Sequence, residues 1–497
     1  MPIRWDPKEH LSLGWYVLRW FAIAAPVSAI VGSVVALFLW LLDVATRTRW
    51  EHPWLIWLLP IAGIGIVVVY HRFGKSSDGG NNLVVEQIHE PGGGVPKRMA
   101  PLVICGTVVT HLFGGSAGRE GTAVQIGGSI SQAFSGWFRL NREDARVLLM
   151  CGVAAGFGAV FGTPLTGAIF AMEVLALGRI RYDALIPCLI AGVVGDLACA
   201  SWGISHTHYQ IAALPTLRGH VLASLSPLLT AKVAVAAVAF GLASVLFAEL
   251  SHTLGTVFKR GIPIYWLRPV AGGAIVLALA WMLDTRDYLG LGVTTPDGKG
   301  ISIVNAFHAG GATSWSWLWK IIFTAVTVSS GFKGGEVTPL FFIGAALGNT
   351  LGVLLGAPVD LMAGLGFVAV FAGATNTPLA CTIMGVELFG SEYLIYFATA
   401  CFLAYIFSGH TGIYLSQRIG ALKGVHSHHE EGDSLRKIRD RLPSCIVSIH
   451  DLQRKLGSED HQCMGSSSPR VFQSGFIQHS HHEHLLRLSR EREREFI

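Results

Sequence analysis

The sequence predicts an all-α polytopic membrane protein made of two inverted repeats with broken and tilted helices. Three observations predict it. First, 51% of its 497 residues are hydrophobic and only 14% are charged, against about 25% charged in soluble domains. Second, apolar runs recur from residue 15 to 420, several of them near the ~20 residues a helix needs to cross a bilayer. Third, the chain repeats itself. Gly115-Ser116-Ala117-Gly118-Arg119-Glu120-Gly121-Thr122 is echoed by Gly331-Phe332-Lys333-Gly334-Gly335-Glu336-Val337-Thr338, and the two glutamates are 336 − 120 = 216 apart. Thr163-Pro164-Leu165 with Glu173 is echoed by Thr377-Pro378-Leu379 with Glu387, at 377 − 163 = 214. Broken helices in matching positions of two apolar halves point to a transport site.

The first apolar run, 17–42, is long and lacks an A-x-A-like cleavage site, so it reads as a retained helix and not a signal peptide. Runs 54–69, 222–250 and 270–283 follow, with none of the weak alternation of a β-barrel. Shorter pieces, 123–134 and 165–177, read as tilted or partial helices. These must be buried in protein or line an aqueous cavity. The 59 glycines suit close helix packing in lipid. Cys105, Cys151, Cys188, Cys199, Cys381 and Cys401 lie in apolar segments and read as small packing residues.

Arg4 and Lys8 precede the first helix, and a run rich in Arg, Lys and His follows the last. Both termini are therefore expected to be cytoplasmic, with an even number of crossings. Two units with an odd crossing count give that number and make the halves inverted. The expected organisation is a segment 1–14, a membrane domain 15–420 with halves 15–210 and 220–420, and a cytoplasmic tail 421–497. The tail's polar composition predicts disorder, with a short amphipathic helix over 435–456 interrupted at Pro443. His426, His428, His429, His479, His481, His482 and His484 raise a metal reading; a solvated tail accounts for them more simply, and no metal or cofactor is expected. The net charge of +5 does not call for nucleic acid.

The chemistry sits in the glycine turns. Each lets the backbone turn sharply before an apolar helix, whose free N–H groups point out of a positively polarised end. Thr122 is expected to cap the first such helix and Thr338 the second, with Pro339 in the first turn. Asp78-Gly79-Gly80-Asn81-Asn82 makes a third start. Three starts converging near mid-membrane make an anion site of backbone amides. Glu120, at one of them, is itself an anion and can occupy the seat of the substrate ion. It can leave on protonation and return on deprotonation. A plain helix-capping role is the competing reading, and Glu336 stands between the same two roles.

At this point the residues resemble a known family. Gly118-Arg119-Glu120-Gly121-Thr122, followed by Val124-Gln125-Ile126-Gly127, is similar to the GREGP signature of the CLC chloride channels and chloride–proton antiporters. Gly335-Glu336-Val337-Thr338-Pro339 sits where that family has GxFxP, and Tyr414 matches its anion-contacting tyrosine. The resemblance covers residues 15–420. It implies a CLC-type fold, a homodimer with one pathway per subunit, and Glu120 as a proton-coupled gate. Departures narrow it. Gly80 stands where chloride members have an ion-touching serine, Val337 replaces the phenylalanine, and Val174 replaces the inner glutamate expected after Glu173. With the paired asparagines these departures look like the branch that exports fluoride in exchange for protons across the cell (inner) membrane. The implied anion-binding set is Gly80, Asn81, Asn82, Gly121, Val337, Thr338 and Tyr414. Fluoride is small and strongly hydrated, and asparagine amides and a threonine hydroxyl add donors to replace its water.

The expected partners are fluoride or chloride, protons, the bilayer and a second copy of the chain. Alternatives are a chloride/proton antiporter or a passive chloride channel of the same fold. A polytopic membrane enzyme is a different class. It would need intramembrane histidines or paired carboxylates at helical spacing, such as HExxH, and His111 stands alone on its apolar run.

Overall fold

The computed structural model describes residues 7–90, 92–212, 226–423 and 430–441. The segment 1–6 and the histidine-rich stretches of the tail lie outside them. The first helix, α1 (Pro7–Glu51), extends past the apolar run at both ends, so Lys8 lies in its first turn and not ahead of it. At 1.5 Å per residue its 45 residues make a rod of roughly 67 Å, twice the ~30 Å hydrocarbon thickness. It must tilt steeply or project beyond the membrane. The next run breaks at Pro53, giving a 3₁₀ turn (Pro53–Leu58) and then α2 (Leu59–Val69). The first half continues with α3 (Gly80–His89), α4 (Met99–Leu112), α5 (Glu120–Trp137), α6 (Arg142–Phe161), α7 (Pro164–Glu173) and α8 (Leu185–Ser201).

The second half repeats this order with one loss. It has α9 (Pro227–Gly261), α10 (Arg268–Met282), α11 (Ser316–Ser329), α12 (Val337–Leu355), α13 (Val359–Thr375), α14 (Pro378–Phe389) and α15 (Leu394–Phe407). Where the first half has α3, the second has a single 3₁₀ turn, Asn305–Phe307. Among the described residues six helical stretches are long and apolar enough to cross a membrane, and six more apolar helices are only 10–17 residues long. Mixed full and partial helices are what the sequence predicts.

Glycine sets the closest helix approaches, and it does so in both halves. A Cβ on Gly127 of α5 would strike the Gly152 carbonyl of α6. A Cβ on Gly344 of α12 would strike the Gly366 carbonyl of α13. The two halves meet through α7 and α14, which cap each other. Glu173, ending α7, accepts from the Leu379 and Ala380 amides at the start of α14 (3.0 and 2.7 Å). Glu387, near the end of α14, accepts from the Leu165 and Thr166 amides at the start of α7 (3.0 and 2.9 Å). Each carboxylate thus neutralises the positive end of the partner's dipole. Between them runs an aromatic stack in which Phe157, Phe161 and Phe170 of the first half meet Phe341 and Phe371 of the second.

The expected boundary at 420 is too early. Strand β1 (Ala176–Leu177) pairs in parallel with β2 (Arg418–Ile419), and α16 (Leu435–Arg441) packs on this pair. Leu435 and Ile438 are buried against Leu177 and Ile419, and Arg439 pairs with Glu249 of α9 at 2.6 Å. Two apolar residues at helical spacing within a polar stretch are enough to seal a small cluster, which composition over the whole tail conceals. The described part of the helix ends at Arg441, and the rest of the predicted 435–456 element lies outside the described residues.

Candidate anion-binding site

The two glycine turns lie side by side. Gly118 and Gly335 form an antiparallel bridge, each amide donating to the other's carbonyl at 2.6 and 2.7 Å. Directly after the bridge α5 starts at Glu120 and α12 at Val337, so both helices begin at one point. The structural register of the repeat is therefore 335 − 118 = 217, and the helix starts agree, 337 − 120 = 217. This corrects the pairing of the two glutamates at 216. The counterpart of Glu120 is Val337, and that of Glu336 is Arg119. Identical letters one position out of register suggested the wrong partner.

Glu120 is 1% exposed, and its carboxylate reaches across to the second half. The Thr338 amide donates to Oε2 at 2.9 Å. The Thr338 hydroxyl lies 2.6 Å from both carboxylate oxygens, and its single proton serves one at a time. The Arg119 amide adds a donor at 3.1 Å, and the Arg119 Nε lies 3.6 Å from Oε1. A carboxylate thus sits on the amide end of α12, where the helix dipole is positive. The expected caps are different. The Thr122 hydroxyl bonds Thr107 at 2.8 Å instead of an amide. Thr338 lies inside α12, and its hydroxyl serves Glu120. As caps the threonines would need helices starting at 123 and 339, three and two residues later than the helices do start. Glu336 occupies the cap position of α12 but makes no side-chain cap hydrogen bond.

The third start, α3, comes alongside. Gly80 has φ +55° and ψ −136°, a conformation that only glycine adopts without strain. Asn81 presses against Gly121, where a Cβ would come within 2.6 Å of the Asn81 Nδ2. The Asn81 Oδ1 is buried without a partner. Asn82 turns its oxygen to the Ser416 amide at 3.0 Å, which ties α3 to the loop carrying Tyr414. Tyr414 is 4% exposed and lies within electrostatic range of both Glu336 and Glu120. Val337 and Thr338 are buried in the first turn of α12. The structure thus gathers Gly80, Asn81, Gly121, Thr338 and Tyr414 around Glu120 or beside it.

Sequence reading missed the residues that fix the loops. Gln125 is buried with its amide facing the Gly80 Cα, and its place one turn beyond Gly121 on α5 was the signal available. The His111 ring nitrogens lie 2.8 Å from the Thr107 carbonyl and 2.9 Å from the Ala117 carbonyl, pinning the gate loop to α4. Ser116 bonds Thr324 and Thr327 of α11 across the two halves (2.9 and 3.2 Å). Lys320, fully buried on α11, donates to the Tyr288 and Gly290 carbonyls at 3.0 Å each.

Fold and site together define a polytopic membrane protein in which broken helices of two inverted halves meet around a buried carboxylate. The family model for the voltage gated chloride channel matches residues 62–409, and the chain belongs to that family. It is 50% identical over 428 residues to the chloride/fluoride channel protein of Pseudomonas syringae pv. tomato, covering 85% of this chain and 90% of the other. The crystal structure of a CLC-type fluoride/proton antiporter superposes with TM-score 0.75 at 34% identity, covering 81% of this chain and 98% of that one. The structure of a slow cyanobacterial Cl⁻/H⁺ antiporter superposes with TM-score 0.64 at 19% identity, covering 80% and 96%. That second likeness concerns the fold alone.

Proposed function

We propose that the protein is a secondary active transporter, not an enzyme, that exports fluoride in exchange for protons, with Glu120 as the proton-coupled gate. The observation that carries this reading is the Glu120 carboxylate seated on the Thr338 amide and hydroxyl. Protonation removes its charge and with it the attraction to the end of α12. The freed donors then face an incoming anion of the same charge, so one proton taken up opens the way for one anion. Asn81 suits a strongly hydrated ion. Its buried end is unsatisfied, and a half-turn of the amide presents two N–H donors there. The fluoride-handling relatives support this choice of ion. The assembly is a homodimer in the cell inner membrane with both termini cytoplasmic, in keeping with the basic residues at both ends.

Reconstitution in liposomes tests the proposal. Fluoride and chloride efflux are followed with electrodes while external pH is recorded. Fluoride should leave faster than chloride, and a fluoride gradient should drive proton movement. Equal rates for the two ions would remove the fluoride assignment, and fluoride flux without proton movement would remove the exchange.

A further inference from the structure

The end of α1 is a polar edge, with Asp43, Arg47 and Glu51 exposed and Arg47 paired to Asp43 at 2.9 Å. The turn that follows exposes Trp54 and Trp57, and the end of α10 exposes Trp281. Exposed tryptophans beside charged helix ends gather at the level of lipid headgroups. Here, between the end of α1, the 53–58 turn and the loop after α10, lies a cavity of about 180 Å³ lined by Arg49, Arg286, Asp287, Thr294 and Thr295, with Ile56 and Leu289 as its apolar wall.

Its polar groups are mostly donors without acceptors. Arg49 is 8% exposed, and its Nη1 donates to the His111 carbonyl at 3.1 Å. Its other N–H groups have no acceptor among the described residues. A Cβ at Gly290 would collide with this guanidinium, so the glycine is what lets it lie there. Arg286 is exposed and makes no ion pair among the described residues. The carboxylate of Asp287 is turned into its own loop, where Oδ2 accepts from the Ile301 amide at 2.7 Å. The Thr295 oxygen accepts from the Gly300 amide at 3.3 Å, leaving its proton to donate.

We propose that this cavity is a binding site for a phosphate group, distinct from the gate. A halide would leave most of the space empty, since even a water molecule accounts for only about 30 Å³. A tetrahedral oxyanion with its ester substituent uses more of it, and takes the paired N–H groups of arginine, whose fork matches phosphate oxygens. The tryptophans and the apolar wall favour the headgroup of an anionic phospholipid as the source. Arg49 also holds the carbonyl of His111, whose ring pins the gate loop at Ala117. The site therefore shares a side chain with the support of the gate.

The test uses the full chain in detergent, freed of lipid and titrated with phosphatidylglycerol or with inorganic phosphate. Thermal midpoint and native mass spectrometry read the binding, and neither depends on what the protein transports. Phosphatidylglycerol should raise the wild-type midpoint and be retained in the mass spectrum. Arg286→Gln and Thr295→Val should weaken this, the arginine change by roughly ten- to a hundredfold in affinity. Arg49→Gln should do the same if it folds, and Arg286, exposed and unpaired, keeps the test open if it does not. Equal and Arg286-dependent protection by inorganic phosphate would keep the site and assign it to the free ion. Binding of both probes that is unchanged in Arg286→Gln, or no binding to wild type, would overturn the proposal.

Discussion

The turn before α5 and the turn before α12 share a backbone and divide a task. Both cross at the Gly118–Gly335 bridge, and both open a helix whose amides face the same point. The first puts a carboxylate at the opening position, Glu120, and the second puts Val337 there. One position further on, the second offers the Thr338 hydroxyl, while Thr122 of the first is engaged with Thr107. So Glu120 crosses to the amide end of α12, and what crosses back from the second turn is a cation, Lys333, which pairs with Asp78 ahead of α3. Duplication supplies two equivalent donor ends. Divergence at single positions makes one the holder of a carboxylate and the other its seat.

The largest effect is expected at Glu120, where this asymmetry rests. Glu120→Gln keeps the shape and removes the charge that Thr338 holds. Proton movement driven by a fluoride gradient should vanish, with anion flux slowed or passive. Proton coupling that survives the change would break the contrast between the turns. Hydrogen bonds to charged groups are worth about 1.5–3 kcal/mol. Thr338→Val should therefore loosen the carboxylate's hold and raise uncoupled fluoride leak by roughly tenfold or more, read as efflux without pH change.

The α7–α14 clasp sharpens the comparison, because there the halves remain equivalent. Glu387 receives two amides and the Thr166 hydroxyl (2.6 Å), whereas Glu173 receives two amides. Alanine at either should cost roughly 1.5–3 kcal/mol, since the amides lose a charged acceptor. Glu387→Ala should cost the more, by the additional bond. Thermal unfolding of the detergent-solubilised protein measures both. Equal losses would mean that the hydroxyl contributes nothing, and no loss in either would show that the clasp is not what joins the halves.

Much of this was legible in the sequence. The repeat, the three helix starts and the glutamate at a polarised helix end follow from glycine spacing and apolar runs. The register did not follow, because Glu120 and Glu336 are the same letter one place out of step. Neither did the caps, since whether a threonine near a helix start reaches an amide or a neighbour such as Thr107 is decided by packing between distant segments. The reciprocal capping of Glu173 and Glu387 was present as an echo, yet nothing local says that each glutamate serves the other's helix. The anchoring of α16 rests on Leu435 and Ile438, which only the folded strand pair makes meaningful.

The α3 segment breaks the pseudo-symmetry differently, because its counterpart is a single turn at Asn305–Phe307. Asn81→Ala should leave the fold intact and reduce fluoride efflux more than chloride efflux. A several-fold fall in their ratio corresponds to about 1 kcal/mol, the scale of one hydrogen bond. Gly80→Ser is a weaker probe than the motif implies. A serine at φ +55°, ψ −136° carries backbone strain of order 1–3 kcal/mol, so lost expression there says nothing about ion choice. An unchanged fluoride-to-chloride ratio in Asn81→Ala would remove this residue from the anion path.

The smallest effect on the fold is expected at Glu336, and it isolates what the second turn contributes besides a seat. Glu336 stands at the cap position of α12 yet caps nothing with its side chain. Among the described residues its carboxylate has no hydrogen-bond partner. Replacing it therefore removes no contact on which the helix depends. Glu336→Gln should shift stability by no more than about 0.5 kcal/mol, the scale of a substitution away from any packed or bonded feature. Its carboxylate and that of Glu120 both lie within electrostatic range of Tyr414, so a charge here falls among the proposed anion-binding residues. Fluoride/proton exchange should slow in Glu336→Gln, less than in Glu120→Gln, with an unchanged melting temperature. Slower exchange with a lowered melting temperature would return Glu336 to a structural role. Unchanged exchange would leave the second turn with one function, the donors of Thr338.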